Sequence, residues 1–303
     1  MVASSEACRP VHGPCGAISP RNESAGRRVI WPAVVVLCAL AAGCASAPLD
    51  QAGSLRSYDN LKVSDGLLTR SLIAVSKDDV LAAKTVRIVP TTFRMPGERA
   101  PFTTAQRSLV TNAVDRTLCA GLSARFEVVG PSEPADLTVH AVVTHAAATD
   151  PVAVGLSKGA SVAKTVLLPG VPVPVPRIPI GLGSLSLEAE ARDLQGNQKA
   201  AMIWGRGANA LAGSGRVAEE GDAYDLAGAF GDDFSKLLVT GATPFGTLPS
   251  APSGETLRTL LGGGPKHSAC AAFGTSPGLV GMIGGGIGLP PDWTDKGAVA
   301  RID

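Results

Sequence analysis

From residue 76 onward, apolar residues switch between a period of two and a period near four, and the switches predict the elements. Ser76-Lys77-Asp78-Asp79 resembles a capping box ahead of "VLAAK", which predicts a short helix. "KTVRIVP" sets Val86 and Ile88 against Arg87 and Val89 and is stopped by Pro90, a strand. In "TTAQRSLVTNAVDRTLCAGL", Val110, Val114 and Leu118 recur every four residues. With Thr103 or Thr104 as cap and Gly121 as stop, this predicts a helix. "RFEVVG" is a strand, "PSEPAD" a turn, and "LTVHAVVTHA" a longer strand with Leu137, Val139, Ala141 and Val143 on one face.

The pattern then breaks. Residues 150–184 alternate Val and Pro from Val171 to Pro176, which removes backbone donors and favours extended geometry, so an inserted arm or edge-lying loop is expected there. Order returns in "SLSLEAEARDLQGNQKAAMIWGRGA", a hairpin turning at Gln195-Gly196-Asn197. Leu185, Leu187, Ala189 and Ala191 face inward, and Glu188, Glu190 and Arg192 face a solvated outer surface. In "GDAYDLAGAFGDDFSKLL" an apolar stripe from Ala223 to Leu238 predicts a helix capped by Asp222, with Asp232 and Asp233 on its polar side. Residues 241–303 read as a Gly/Pro-rich tail. The fold class expected is therefore α+β: a single domain over 61–240, with a mostly antiparallel sheet and helices on one face.

The amino-terminal region changes the picture. Arg27–Arg28, an apolar run over Val29–Ala42 and small residues before Cys44 have the layout of a secretory signal, too short to span a bilayer that needs roughly 20 apolar residues. "LAAGC" resembles a bacterial lipobox, which implies cleavage before Cys44, diacylation of this cysteine, acylation of the new amino terminus and residence at the periplasmic face of the outer membrane. The alternatives are an ordinary secreted chain cut near "ASA" (45–47) and an uncleaved anchor. Residues 1–43 are accordingly leader and signal, and 44–60 a tether. The polar stretch 1–26, with Cys8 and Cys15, is either a leader or a sign that translation starts further on.

Acidic and basic residues nearly balance at net +1, without a basic stripe, so no nucleic-acid partner is expected. Besides Cys44, residues 44–303 hold only Cys119 and Cys270. In an oxidising compartment this pair reads first as a disulfide, with two buried thiols or a site using His267 as the alternatives.

No cofactor, metal or catalytic centre is expected. Gly274-Thr275-Ser276-Pro277-Gly278 matches the nucleophile-elbow pattern, but Pro277 lacks the N–H that an oxyanion hole needs. His140 and His145, five apart on one strand, point to opposite faces unless a bulge separates them. The runs "LGGGPKH" and "GMIGGGIGLP" lack a P-loop's Lys-Ser/Thr and open no recognisable helix. The apolar run Leu279–Leu289 is expected to fold back over the domain, or else to touch a partner or the bilayer.

The lipobox, "GSLRSYDNLK", "KTVRIVP", "ADLTVHAVVTH", the stretch from "PVPRIPIGLGS" to "WGRGA", "GDAYDLAGAFGDDFSKLL" and, in the tail, "PPDWTDKGA" together resemble an uncharacterised family of bacterial lipoproteins, domain of unknown function 3313. The element order also resembles the amino-terminal domain of TolB and the periplasmic domain of the curli secretion lipoprotein, at the level of fold. The family resemblance implies an envelope location and supplies no catalytic residues. The expected function is a lipid-anchored, non-catalytic binding or assembly module that meets an envelope partner or associates with itself. A ring-forming or export-linked subunit is the alternative.

Overall fold

A computed structural model describes residues 47–94, 101–167, 181–209, 215–246 and 261–295, with isolated positions at 254, 257 and 258. The signal segment, Cys44 and the Val-Pro repeat lie outside these residues. The strands are β1 (Lys62–Val63), β2 (Arg70–Val75), β3 (Thr85–Ile88), β4 (Thr92–Phe93), β5 (Glu127–Val128), β6 (Leu137–Ala147), β7 (Ser184–Arg192) and β8 (Gln198–Gly207). The helices are α1 (Lys77–Ala82), α2 (Thr104–Leu122), α3 (Pro151–Leu167), α4 (Gly221–Thr240), α5 (Gly278–Ile287) and α6 (Pro291–Thr294), with a 3-10 turn over Ser268–Phe273.

All eight strands share one mixed sheet in the order β1-β2-β8-β7-β6-β3-β5, with β4 beside β6. The long pairings β2–β8, β8–β7 and β7–β6 are antiparallel, whereas β3 and β4 join β6 in parallel, as β5 joins β3. The α+β class and the mostly antiparallel sheet are therefore as expected.

Helices α2 and α4 cover the inward face, where Leu185, Leu187, Ala189 and Ala191 meet Leu118, Phe230, Phe234 and Leu237 in one core. The two helices cross closely because glycines stand at the contacts: a Cβ on Gly121 would come within 2.5 Å of Ser235, and one on Gly231 within 2.7 Å of Thr117. Helix α2 begins in a full capping box, Thr103 with Gln106. Trp204 reaches through the core to stack edge-on against Phe230, and its indole N–H donates to Asp233 at 2.8 Å.

Four local expectations are corrected. Ser76 makes no side-chain cap; its backbone N–H is held by Lys199 O at 2.8 Å, in register with β8. Asp222 does not cap α4, whose first flanking residue is Glu220. Its buried carboxylate instead accepts from Gly183 N at 2.9 Å and fixes the entry to β7. Residues 151–167, expected in an extended arm, are helical: Asp150 Oδ1 accepts from the N–H groups of Val152 and Ala153, and Pro151 occupies the first turn. The stretch 278–287, expected not to open a helix, is α5, started after Pro277 and stopped by left-handed Gly288.

Cys119 and Cys270 are joined in a disulfide with a Cα–Cα distance of 5.9 Å. It pins the 3-10 turn to α2.

Candidate functional site

Three places concentrate polar groups or exposed apolar ones. The first lies where the carboxyl-terminal segment closes over α2 and α4. Arg116, on the face of α2 opposite the core stripe, forms a buried ion pair with Asp295, and Tyr224 Oη donates to the same carboxylate at 2.8 Å. Arg116 Nη1 also donates to Phe273 O at 3.3 Å. Arg216 pairs with Asp225 at 2.9 Å, donates to Gly281 O at 3.2 Å and lies over the Tyr224 ring. Beside the disulfide these groups border a cavity of about 310 Å³, whose wall also includes Thr117, Asp232, Ser276 and Met282.

Burial, and then Asp295, push the Tyr224 phenol well above its usual range. Asp232 stands at the cavity mouth; crowding by the protein, and then Asp233, push its carboxyl up to about 6. Ser276 Oγ accepts from Gly278 N at 3.3 Å. With Arg116 paired to Asp295 and Arg216 to Asp225, the cavity wall works as a joint holding the carboxyl-terminal segment down. Sequence reading does not mark these arginines, although Asp295 sits inside the "PPDWTDKGA" motif.

The second place is the outer face of the sheet. Glu188 and Glu190, expected on a solvated surface, are both 0% exposed. The correction comes from residues 47–61, which lie across this face. Glu188 accepts from Ala52 N at 2.7 Å, from Ser54 N at 3.0 Å, from Ser54 Oγ and from Tyr58 Oη at 2.7 Å. Glu190 accepts from Arg56 N at 2.9 Å and pairs with Arg192. Leu55 caps a small apolar cluster with Ala201 and Ile203. Burial first, and then the bond to Glu188, raise the Tyr58 hydroxyl.

On the same sheet a bulge between Val143 and His145 reverses the parity expected for the histidines. His145 therefore lies on the outer face with His140, and Ala146 takes the inward position. His140 faces Glu190 across the register, and burial followed by Arg192 holds its imidazole below the usual value. His145 Nε2 lies 3.3 Å from Ser184 Oγ. Among the described residues, no three His, Cys, Asp or Glu converge as a metal site.

The third place is apolar. Helix α5 turns Gly278, Gly281, Gly284 and Gly285 inward and leaves Val280, Ile283 and Ile287 exposed. Val152 and Leu156 on α3 and Trp293 on α6 are exposed as well.

The family model described as "Protein of unknown function (DUF3313)" matches residues 50–234. The chain belongs to the DUF3313 family. The match spans the outer-face segment, the sheet and most of α4; Cys270, α5 and α6 of this DUF3313 protein lie beyond it. No curated protein matches the sequence. Solved structures similar to it include two of PelC dodecamers from Paraburkholderia phytofirmans. The one in space group C2, a point variant, is 12% identical, with 60% of this chain and 96% of that one covered at a TM-score of 0.30. The one in space group P6 is 10% identical, with 57% and 98% covered at 0.32.

Proposed function

We propose that this DUF3313 protein is an outer-membrane lipoprotein, acylated at Cys44 on the periplasmic face, that works by contact as a non-catalytic binding or assembly module. One observation carries the reading. Ala47, only three residues after Cys44, is buried against Gly205 of β8, and Pro48 O accepts from Ser186 Oγ at 2.6 Å. Three residues reach at most about 10 Å. An acyl anchor at Cys44 thus holds the domain against the bilayer, not at the end of a long leash. The glutamates that clamp residues 52–58 serve this role: they keep the anchor short.

Intact mass of the membrane-fraction protein tests the anchor, with a chain starting at Cys44 and bearing acyl groups as the expected result. An unmodified chain refutes it.

A self-associating, ring-forming or export-linked subunit is the second reading, and one feature of the fold favours it. The turn joining β1 to β2 leaves Leu67 98% exposed beside exposed Val63, at one edge of the sheet. Exposed apolar side chains at a sheet edge suit a contact between copies. Native mass spectrometry in detergent separates the two: one defined oligomer, dispersed by Leu67→Glu, supports the ring; a monomer supports the binding module.

A further inference from the structure

Helix α5 is built inside out. Its glycines pack inward, where a Cβ at Gly281 would strike Pro277, one at Gly284 would strike Thr294 and one at Gly285 would strike Arg216. Its large apolar residues face away: Val280 is 68%, Ile283 63% and Ile287 65% exposed, at i, i+3 and i+7. A helix packed only on its own domain would carry the opposite arrangement. The face continues onto α3, because Lys158 Nζ donates to Gly286 O at 2.7 Å and the stem of Lys158 lies on Gly288. There Val152 and Leu156 are exposed one turn apart, and Trp293 on α6, whose Thr294 packs against Gly284, is exposed as well. No charged residue occurs between Ser268 and Pro291. The stretch Ser268–Ile287 is long and apolar enough for a membrane-crossing helix. It is nevertheless two helices broken at Gly274–Pro277, and its first is tied to α2 by Cys270, so it lies on a surface and does not cross.

The amino-terminal path indicates what covers this face. Ala47 sits on Gly205, which pairs with Ser186; two residues on, Ser184 pairs with Ala147, where β6 ends and the chain turns into α3. Val217 N donates to Gly288 O at the same end of the fold. The residue three places after Cys44 and the helices bearing the apolar face therefore leave the sheet at one end.

We propose that the exposed face of α3, α5 and α6, with Val152, Leu156, Val280, Ile283, Ile287 and Trp293, lies in the headgroup–acyl boundary of the lipid bilayer. This rests on the anchored reading above and adds a second contact to it. Apolar helix faces enter that boundary by roughly 5–10 Å, and tryptophan is enriched there. Two contacts at one end fix the orientation of the domain, which a single acylated cysteine cannot do.

The full chain, purified from membranes, provides its own probe. Beyond Cys44 its tryptophans are Trp204, 0% exposed in the core, and Trp293, 68% exposed. Placed in vesicles of phosphatidylethanolamine and phosphatidylglycerol with brominated acyl chains, the protein should show blue-shifted Trp293 emission that is mostly quenched. Trp293→Phe should abolish the quenching, and Ile283→Glu with Ile287→Glu should reduce it at unchanged melting temperature. Unquenched Trp293 in an acylated chain overturns the proposal and leaves the anchor standing. Trp293 shielded from iodide without any lipid also overturns it, in favour of cover by a second copy or by this chain's own residues. If the mass shows no acyl groups, the anchored reading falls; quenching of the unmodified chain by the same vesicles that Trp293→Phe removes would still support the apolar face, and quenching that is absent or survives Trp293→Phe, as from Trp31 of a retained leader, would overturn it.

Discussion

Replacing Glu188 with glutamine should loosen the amino-terminal segment without unfolding the sheet beneath it. Glu188 Oε1 takes Ala52 N–H, and Oε2 takes Ser54 N–H, Ser54 Oγ and Tyr58 Oη. Glutamine keeps one acceptor oxygen and presents an NH2 group to the donors on the other side. Charge assistance is lost on the remaining bonds, and at least one donor is left unpaired in a site that excludes water. With buried unsatisfied donors costing about 1–3 kcal/mol, and hydrogen bonds to charged groups contributing about 1.5–3 kcal/mol, the segment should lose about 2–4 kcal/mol of local stability. Hydrogen exchange reads this directly. The Ala52, Ser54 and Arg56 amides should exchange about 30-fold to 1,000-fold faster in Glu188→Gln, while amides of β6, β7 and α4 keep their protection. In membranes the loosened segment would let the domain drift from its anchor, because 16 residues then separate Cys44 from Leu61. Unchanged exchange over 47–61 would refute the clamp. Equal acceleration everywhere would show that Glu188 supports the core and not the segment.

Other outcomes follow from the same geometry. Reduction, or serine at both Cys119 and Cys270, opens a link across 151 residues; the chain-entropy model gives about 5 kcal/mol, and the melting temperature should fall by roughly 5–15 °C. A melting curve indifferent to reductant would contradict this. Asp232 has its carboxyl raised from 3.8 to about 6, so the fold disfavours the ionised form: stability is full below the unfolded value and is lost as pH rises through about 6. Because Asp232 is solvent-exposed, water screens much of this: Asp232→Asn should melt slightly higher than the parent at pH 7.5 and level with it near pH 3.5, and an equal difference at both would refute the cause. Gly231→Ala should destabilise by about 1–3 kcal/mol in chemical denaturation, because its Cβ meets Thr117 at 2.7 Å and the Leu118 backbone at 3.2 Å. Gly286→Ala meets nothing within 4 Å and should be neutral or slightly stabilising, since alanine is the better helix former.

The sheet and the two core helices were legible because their periodicity is imposed by a single buried face. Val110, Val114 and Leu118 could serve only a helix packed on one side, and the Thr103-Thr104 pair ahead of them offered its start, which the structure settles on Thr103. Helix α3 was concealed by the Val-Pro repeat that follows it, although Asp150-Pro151 is itself a start signal. The outer face misled for a different reason: Glu188, Glu190 and Arg192 give the same alternation whether water or a peptide segment covers them. Only the backbone donors of Ala52, Ser54 and Arg56, invisible as side-chain pattern, distinguish the cases. The histidines were misplaced because one extra residue, Thr144, reverses the parity of everything after it. Likewise "GMIGGGIGLP" hid a helix, because its inward face is made of glycines that no hydrophobic stripe announces.

The anchor underlies both the proposed role and the proposed membrane face, and the intact mass of the protein taken from the membrane fraction tests it most directly. A chain beginning at Cys44 and heavier by its acyl groups is the predicted result. A chain beginning after Cys44, or an unmodified one still carrying its leader, would contradict the account.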